Sequence, residues 1–115
     1  MKKEFTQDQK EELVAGIINN VDISIYYDNK YSAQQMREIR LGLEEELDVK
    51  IYSNSKYLAW QMKEIRLCLE MGFDIREFID NGYNQEAIEE IRTKAVKNLK
   101  DVQVLRMKLE GIHNF

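Results

Sequence analysis

Proline is absent from this 115-residue chain, and cysteine, histidine and tryptophan occur once each. Each scarcity removes a class of structure or chemistry. With no proline and only five glycines, the sequence is neither a turn-rich β-sandwich nor a low-complexity linker. The lone cysteine, Cys68, forms no intrachain disulfide, so nothing calls for an oxidising compartment and the cytoplasm of a bacterial host is the expected location. One cysteine and one histidine fall short of the ligand set of a structural zinc site. A nucleophilic pair of Cys68 and His113 would need the tail "GIHNF" to fold back onto a helix face, and no glycine-rich phosphate loop is present. Catalytic residues, metal and cofactor are therefore not expected. No apolar run approaches the length of a membrane-spanning helix, and "MKKEFTQDQKEELVAGIINN" sets acidic and amide residues after its lysines where a secretory signal carries an apolar stretch.

Hydrophobic residues make up 43% of the chain and charged ones 33%, a balance that suits one soluble, largely helical domain spanning 1–115. Seventeen Lys and Arg against 21 Asp and Glu leave a net charge of −4, which excludes a general attraction to nucleic acid but not a local basic patch.

The chain writes one pattern repeatedly. "YSAQQMREIRLGLEEELDVKIY" begins at Tyr31 and "YLAWQMKEIRLCLEMGFDIREF" at Tyr57, 26 positions later. The same offset carries Tyr57 to Tyr83, Ile65 to Ile91 and Arg66 to Arg92, and in the other direction Tyr31 to Phe5, Gly42 to Gly16 and Tyr52 to Tyr26. Four units follow, near 5–30, 31–56, 57–82 and 83–115, with the outer two degraded as terminal caps are. After the leading aromatic stands Thr6, Ser32 or Asn84, each able to cap a helix; the third unit has Leu58 there. Ala33, Met36, Ile39, Leu43 and Leu47 then recur at helical spacing and predict a helix from about Ala33 to about Leu47. Asp48 and Asp74 are read as caps of a second, very short helix, with Val49 and Tyr52, or Ile75 and Phe78, turned inward. In the last unit Ile88, Ile91, Ala95, Leu99, Val102, Leu105 and Leu109 predict one long helix, with a break near Asp101 allowed and Gly111 as its stop. The expected fold is all-α: four stacked helix-plus-short-helix repeats closed by a long C-terminal helix, which is also the expected dimer surface.

The candidate functional residues fall into three sets. Arg40, Arg66 and Arg92 lie at the edge of the apolar stripe and read as structural, each reaching a carboxylate of the adjacent unit, with Asp48 and Asp74 as candidate receivers. Arg37 and Lys63 lie on a more exposed arc as a charged contact face for phosphates, partly cancelled by Glu44 and Glu70. The third helix is the exception. Trp60 stands where the other units have Asp8, Gln34 and Glu86, and Met71 where they have Asn19, Glu45 and Lys97. With Leu67 and Leu58 they form a second apolar stripe, either packed between neighbours or exposed as a protein-binding face with Tyr26 and Tyr27 at its rim. The acidic run "LEEELD" reads as a solvated helix end.

"QQMREIRLGLEEELDV" and "WQMKEIRLCLEMGFDI" resemble a short repeat of the form Q-M-x-E-I-R-x-G-L-E-x-G-L-D-V, followed by a Tyr-containing turn. That repeat occurs in accessory and multi-domain proteins of phages, plasmids and conjugative elements of Gram-positive bacteria, some implicated in protecting incoming DNA from host restriction or CRISPR defence. The likeness covers Tyr31 to Phe78; Glu46 and Cys68 depart from it where glycine is expected. It implies a helical repeat fold of mobile-element origin and transfers no catalytic residue. The expected function is a non-catalytic protein-binding module, an inhibitor of a host CRISPR effector or restriction enzyme. The alternative is a nucleic-acid-binding accessory protein.

Overall fold

A computed structural model describes residues 4–98. All of their regular structure is helical: α1 (Gln7–Ile18), α2 (Ala33–Glu44), α3 (Ala59–Glu70), α4 (Arg76–Asp80) and α5, helical over 85–98, with 3-10 turns at Ile23–Ile25 and Val49–Ile51. The first three helices have 12 residues each and start 26 positions apart, and α5 starts in the same register. The chain divides after Asp74 into two compact units, the first holding α1 to α3 and the second α4 and α5. Within the first, α2 packs on α1 and α3 on α2.

Local chemistry explains where each helix begins. Thr6 and Ser32 accept from the backbone N–H of Gln9 (3.2 Å) and Gln35 (3.1 Å), while the same glutamines return a side-chain oxygen to the cap's own N–H (2.8 Å in both). These reciprocal bonds satisfy two of the amide groups that a helix start leaves free. Asn84 caps α5 by accepting from the Ala87 N–H at 2.9 Å. Leu58 has no acceptor, and only the Gln61 half of the box survives there (2.8 Å).

The helices end earlier than the hydrophobic spacing implies. The helix expected to reach Leu47 stops at Glu44, because Glu46 turns into the left-handed region at φ 59°. The Leu47 N–H then returns to the Gly42 carbonyl (2.9 Å) and the Glu46 N–H to that of Leu43 (3.1 Å), which closes the helix end. Asn20 and Gly72 do the same for α1 and α3. Glu46 adopts this geometry against its own side chain, whereas Gly72 does so freely.

Met36, Ile39, Met62 and Ile65 are completely buried, as the stripe requires, and each contributes roughly 1.5 to 3 kcal/mol by leaving water. The short elements of the first two repeats behave as expected, whereas the N-cap of α4 is Ile75, with no side-chain cap bond, and not Asp74. Asp22 and Asp48 cap the 3-10 turns by accepting from the Ser24 and Lys50 N–H groups, and Val49 and Tyr52 are buried. In the third repeat the short element is a five-residue helix, α4, with Ile75 buried and Phe78 half-buried against Tyr83 at 5.5 Å. Leu99, Val102, Leu105, Leu109, Asp101 and Gly111, on which the long C-terminal helix rested, lie outside the described residues.

Two helical glycines are fixed by tyrosine. Tyr26 and Tyr52, both fully buried, cross under α1 and α2 and donate to the carbonyls of Glu12 (2.9 Å) and Glu38 (2.6 Å). A Cβ on Gly16 or Gly42 would lie 2.0 Å from the hydroxyl oxygen, and at Gly42 it would also lie 2.6 Å from Val49 Cγ1. Tyr26 is therefore core, not the rim of a binding patch. At the third repeat both partners of this pattern change, to Cys68 and Phe78. Gly42→Ala is expected to destabilise the protein by about 1 to 3 kcal/mol, the range for overpacking. Adding Tyr52→Phe should recover part of that loss in denaturant melts, giving a coupling energy of about 1 kcal/mol.

Candidate functional site

Each junction in the first unit is made by two side chains, a glutamine of one helix and an arginine of the next. The buried Gln9 and Gln35 amides donate across to the next repeat's lead-in, to the carbonyls of Tyr31 and Tyr57 (2.7 Å each) and of Asn29 and Ser55 (3.4 and 3.3 Å). One amide side chain thus caps its own helix and ties down the start of the next. Sequence reading did not single out these glutamines, since a polar residue in a helical first turn looks solvated unless its distant partner is known.

The second link is ionic. Arg40 Nε donates to Glu12 Oε2 (2.9 Å) and its NH1 to Glu44, while Arg66 Nε donates to Glu38 Oε2 (3.0 Å) and its NH1 to Glu45 (3.2 Å) and Glu70 (3.0 Å). The structural role expected for Arg40 and Arg66 is what the geometry shows, but the receivers differ. Between helices the receivers are glutamates, Glu12 of α1 for Arg40 and Glu38 of α2, with the α2 C-cap Glu45, for Arg66; Asp48 instead caps its 3-10 turn. Only 9% of the Arg66 side chain is exposed, and its charge is held on: burial alone would weaken it, but the bond to Glu38 and the fields of three carboxylates outweigh burial. Arg92 lies in the second compact unit. Burial also pushes the Tyr26 hydroxyl up to about 12, and that of Tyr52 further, so both remain protonated donors.

The two arginine rings are not equivalent. In the first, Asn19 donates its side-chain amide to Glu44 (2.8 Å). In the second, the place of Asn19 is taken by Glu45, which faces Glu70, so two carboxylates meet where an amide met one. The Glu45 carboxyl titrates above its ordinary value of 4.5, first because it hydrogen-bonds Glu70 and second because of burial.

The expected binding stripe on α3 separates on inspection. Leu67 repeats Leu41, and both are half-buried, so Leu67 belongs to the fold's own pattern. Met71 is the C-cap of α3, half-buried, in the row where Asn19 and Glu45 meet the following helix. Trp60 is half-buried where Asp8, Gln34 and Glu86 are all exposed, and Leu58 is 57% exposed. Tyr27, beside Phe5 at 4.9 Å, is exposed. Arg37 and Lys63 are both exposed, and Glu44 and Glu70, expected to cancel them, are instead drawn to Arg40 and Arg66. Lys30 and Lys56 lie over the rings of Tyr31 (5.2 Å) and Tyr57 (4.8 Å). Among the described residues no group of three or more His, Cys, Asp or Glu is arranged to hold a metal ion. Among them, too, no helix is long and apolar enough to cross a membrane.

The Glu45 arrangement has a pH signature. A raised carboxyl value in the folded state means that the bound proton stabilises the fold below the ordinary carboxylate value and that this stability is lost as pH rises through the raised value. Above it Glu45 is a cost. Glu45→Asn, which installs the Asn19 pattern, should stabilise the protein at pH 7 by up to about 1 kcal/mol, as befits a part-exposed charge. The advantage should shrink towards zero as melts are repeated down to pH 4.5.

No protein-family model, curated protein or solved structure matches this chain.

Proposed function

We propose that this chain is a non-catalytic protein-binding module of a mobile genetic element, an inhibitor of a host defence nuclease of the CRISPR or restriction type. One observation supports binding through α3. At the N-cap, where Thr6 and Ser32 each make a bond worth about 1 kcal/mol, the third repeat has Leu58. That residue makes no cap bond and is 57% exposed, so it gains little by packing. A position where the fold would do better with serine is one where stability has been exchanged for something else. Trp60, two residues on and half-buried, supplies the large aromatic surface on which protein interfaces depend. The mobile-element origin and the nuclease target rest on the resemblance of the repeat sequence.

A second reading, nucleic-acid binding, is favoured by the exposure of Arg37 and Lys63 once Glu44 and Glu70 are turned to other partners. Salt separates the two. Phosphate contacts make affinity fall steeply between low and physiological salt, whereas an apolar interface barely responds.

Leu58→Ser moves the two properties in opposite directions. It should raise stability by about 1 kcal/mol through the restored cap, yet reduce capture of the partner nuclease from a Gram-positive lysate, identified by mass spectrometry. Trp60→Gln should likewise weaken capture, by about 2 kcal/mol or more. A Leu58→Ser protein that is more stable and captures the same partner equally well would contradict the assignment.

A further inference from the structure

Three of the four large exposed aliphatic side chains of the described residues are on α1, the fourth being Leu58: Val14, Ile17 and Ile18 are 53%, 63% and 75% exposed. Their repeat equivalents explain why this face stands out. The positions of Val14 and Ile18 are Arg40 and Glu44 in α2 and Arg66 and Glu70 in α3, and those side chains point at the preceding helix, where Arg40 meets Glu12, Glu44 meets Asn19 and Arg66 meets Glu38. No described helix precedes α1. A terminal repeat meant for water keeps a polar outer face, but here the arginine and the glutamate have both been replaced by aliphatic residues.

We propose that this face of α1 pairs with the same face of a second copy of the chain about a two-fold axis. The replacement itself points to that occupant. A head-to-tail continuation of the stack would repeat the Arg40–Glu12 and Arg66–Glu38 contacts, and Val14 carries no charge to make one. An uncharged patch is complementary to itself, as a two-fold contact requires. The flanking charges are of both signs, exposed Lys10 and Glu11 both preceding Val14 on this side of α1. Lys10 lies one turn before Val14 on the same stripe, near the N-terminus of α1, and exposed Asp22 follows its C-terminus; α1 has no basic residue in its last turn. A two-fold axis through the patch sets the helices antiparallel, so that each Lys10 approaches the negative end of the other helix and its Asp22. The surface is distinct from the α3 residues Leu58 and Trp60. One helix face is smaller than the roughly 800 Å² per partner of a standard interface, so the dimer should dissociate on dilution.

Sedimentation of the full chain from low micromolar to several hundred micromolar should show a reversible monomer–dimer equilibrium. Ile17→Lys and, separately, Ile18→Glu, both at exposed positions that leave the melt unchanged, should weaken it by about tenfold or more. Val14→Cys, near the axis, should form a disulfide-linked dimer faster than Tyr27→Cys, an exposed control; Cys68 is buried and does not compete. A chain that remains monomeric throughout, a dimer indifferent to both charged variants, or equal cross-linking of the two cysteine variants would each overturn the proposal.

Discussion

Glu12 and Glu38 are each grasped twice, and the stacking of the repeats depends on that double hold. The backbone carbonyl of Glu38 accepts the Tyr52 hydroxyl from its own repeat, and its carboxylate accepts Arg66 from the next; Glu12 does the same for Tyr26 and Arg40. One residue therefore fixes both the short element against its helix and that helix against its successor. Glycine at 16 and 42 follows from the first hold, since the hydroxyl must come close to the helix. A nearly buried arginine follows from the second. Among the described residues no buried side-chain nitrogen or oxygen is left without a hydrogen-bond partner, which is the condition under which such polar contacts specify a register instead of weakening the core.

A repeated device also shows where it has been altered. Leu58 gives up a cap, Val14 and Ile18 give up an ionic contact, and Glu45 sets a carboxylate against Glu70 where Asn19 offered an amide. The first two replace polar chemistry with exposed apolar surface, one on α1 and the other at the start of α3. Gln9, Gln35, Arg40, Arg66, Tyr26 and Tyr52 are committed to the stack, so these alterations fall at other positions or at the end helix where the contact has no described partner.

Much of this was legible in the sequence. The 26-residue offset placed the helix starts, the capping residues and the buried Met36, Ile39, Met62 and Ile65, because those follow from local hydrogen bonding and periodicity. The ends of the helices were less legible: apolar spacing continues to Leu47, but the backbone reverses at Glu46, and a glutamate gives no sign of a left-handed residue. Arg40 and Arg66 were read as stacking residues and do reach the preceding helix, yet the receivers were sought at Asp48 and Asp74, since sequence alone does not show which turn of a neighbouring helix a long side chain reaches. Tyr26 looked like a surface aromatic until Gly16 was seen to make room for it. The exposure of Val14, Ile17 and Ile18 was not legible, because an aliphatic residue on a helix does not show in sequence whether a neighbour covers it.

A double-mutant cycle on Glu38 and Arg66 tests the central claim most directly. Arg66→Met should cost about 3 to 5 kcal/mol in equilibrium unfolding, because it leaves the buried Glu38 carboxylate without its cation, and Glu38→Leu should cost less, because Arg66 keeps Glu45 and Glu70, while the double variant should cost less than Arg66→Met alone. Additive losses, or single losses within about 0.5 kcal/mol of zero as for ordinary surface substitutions, would contradict the view that this pair holds one repeat to the next.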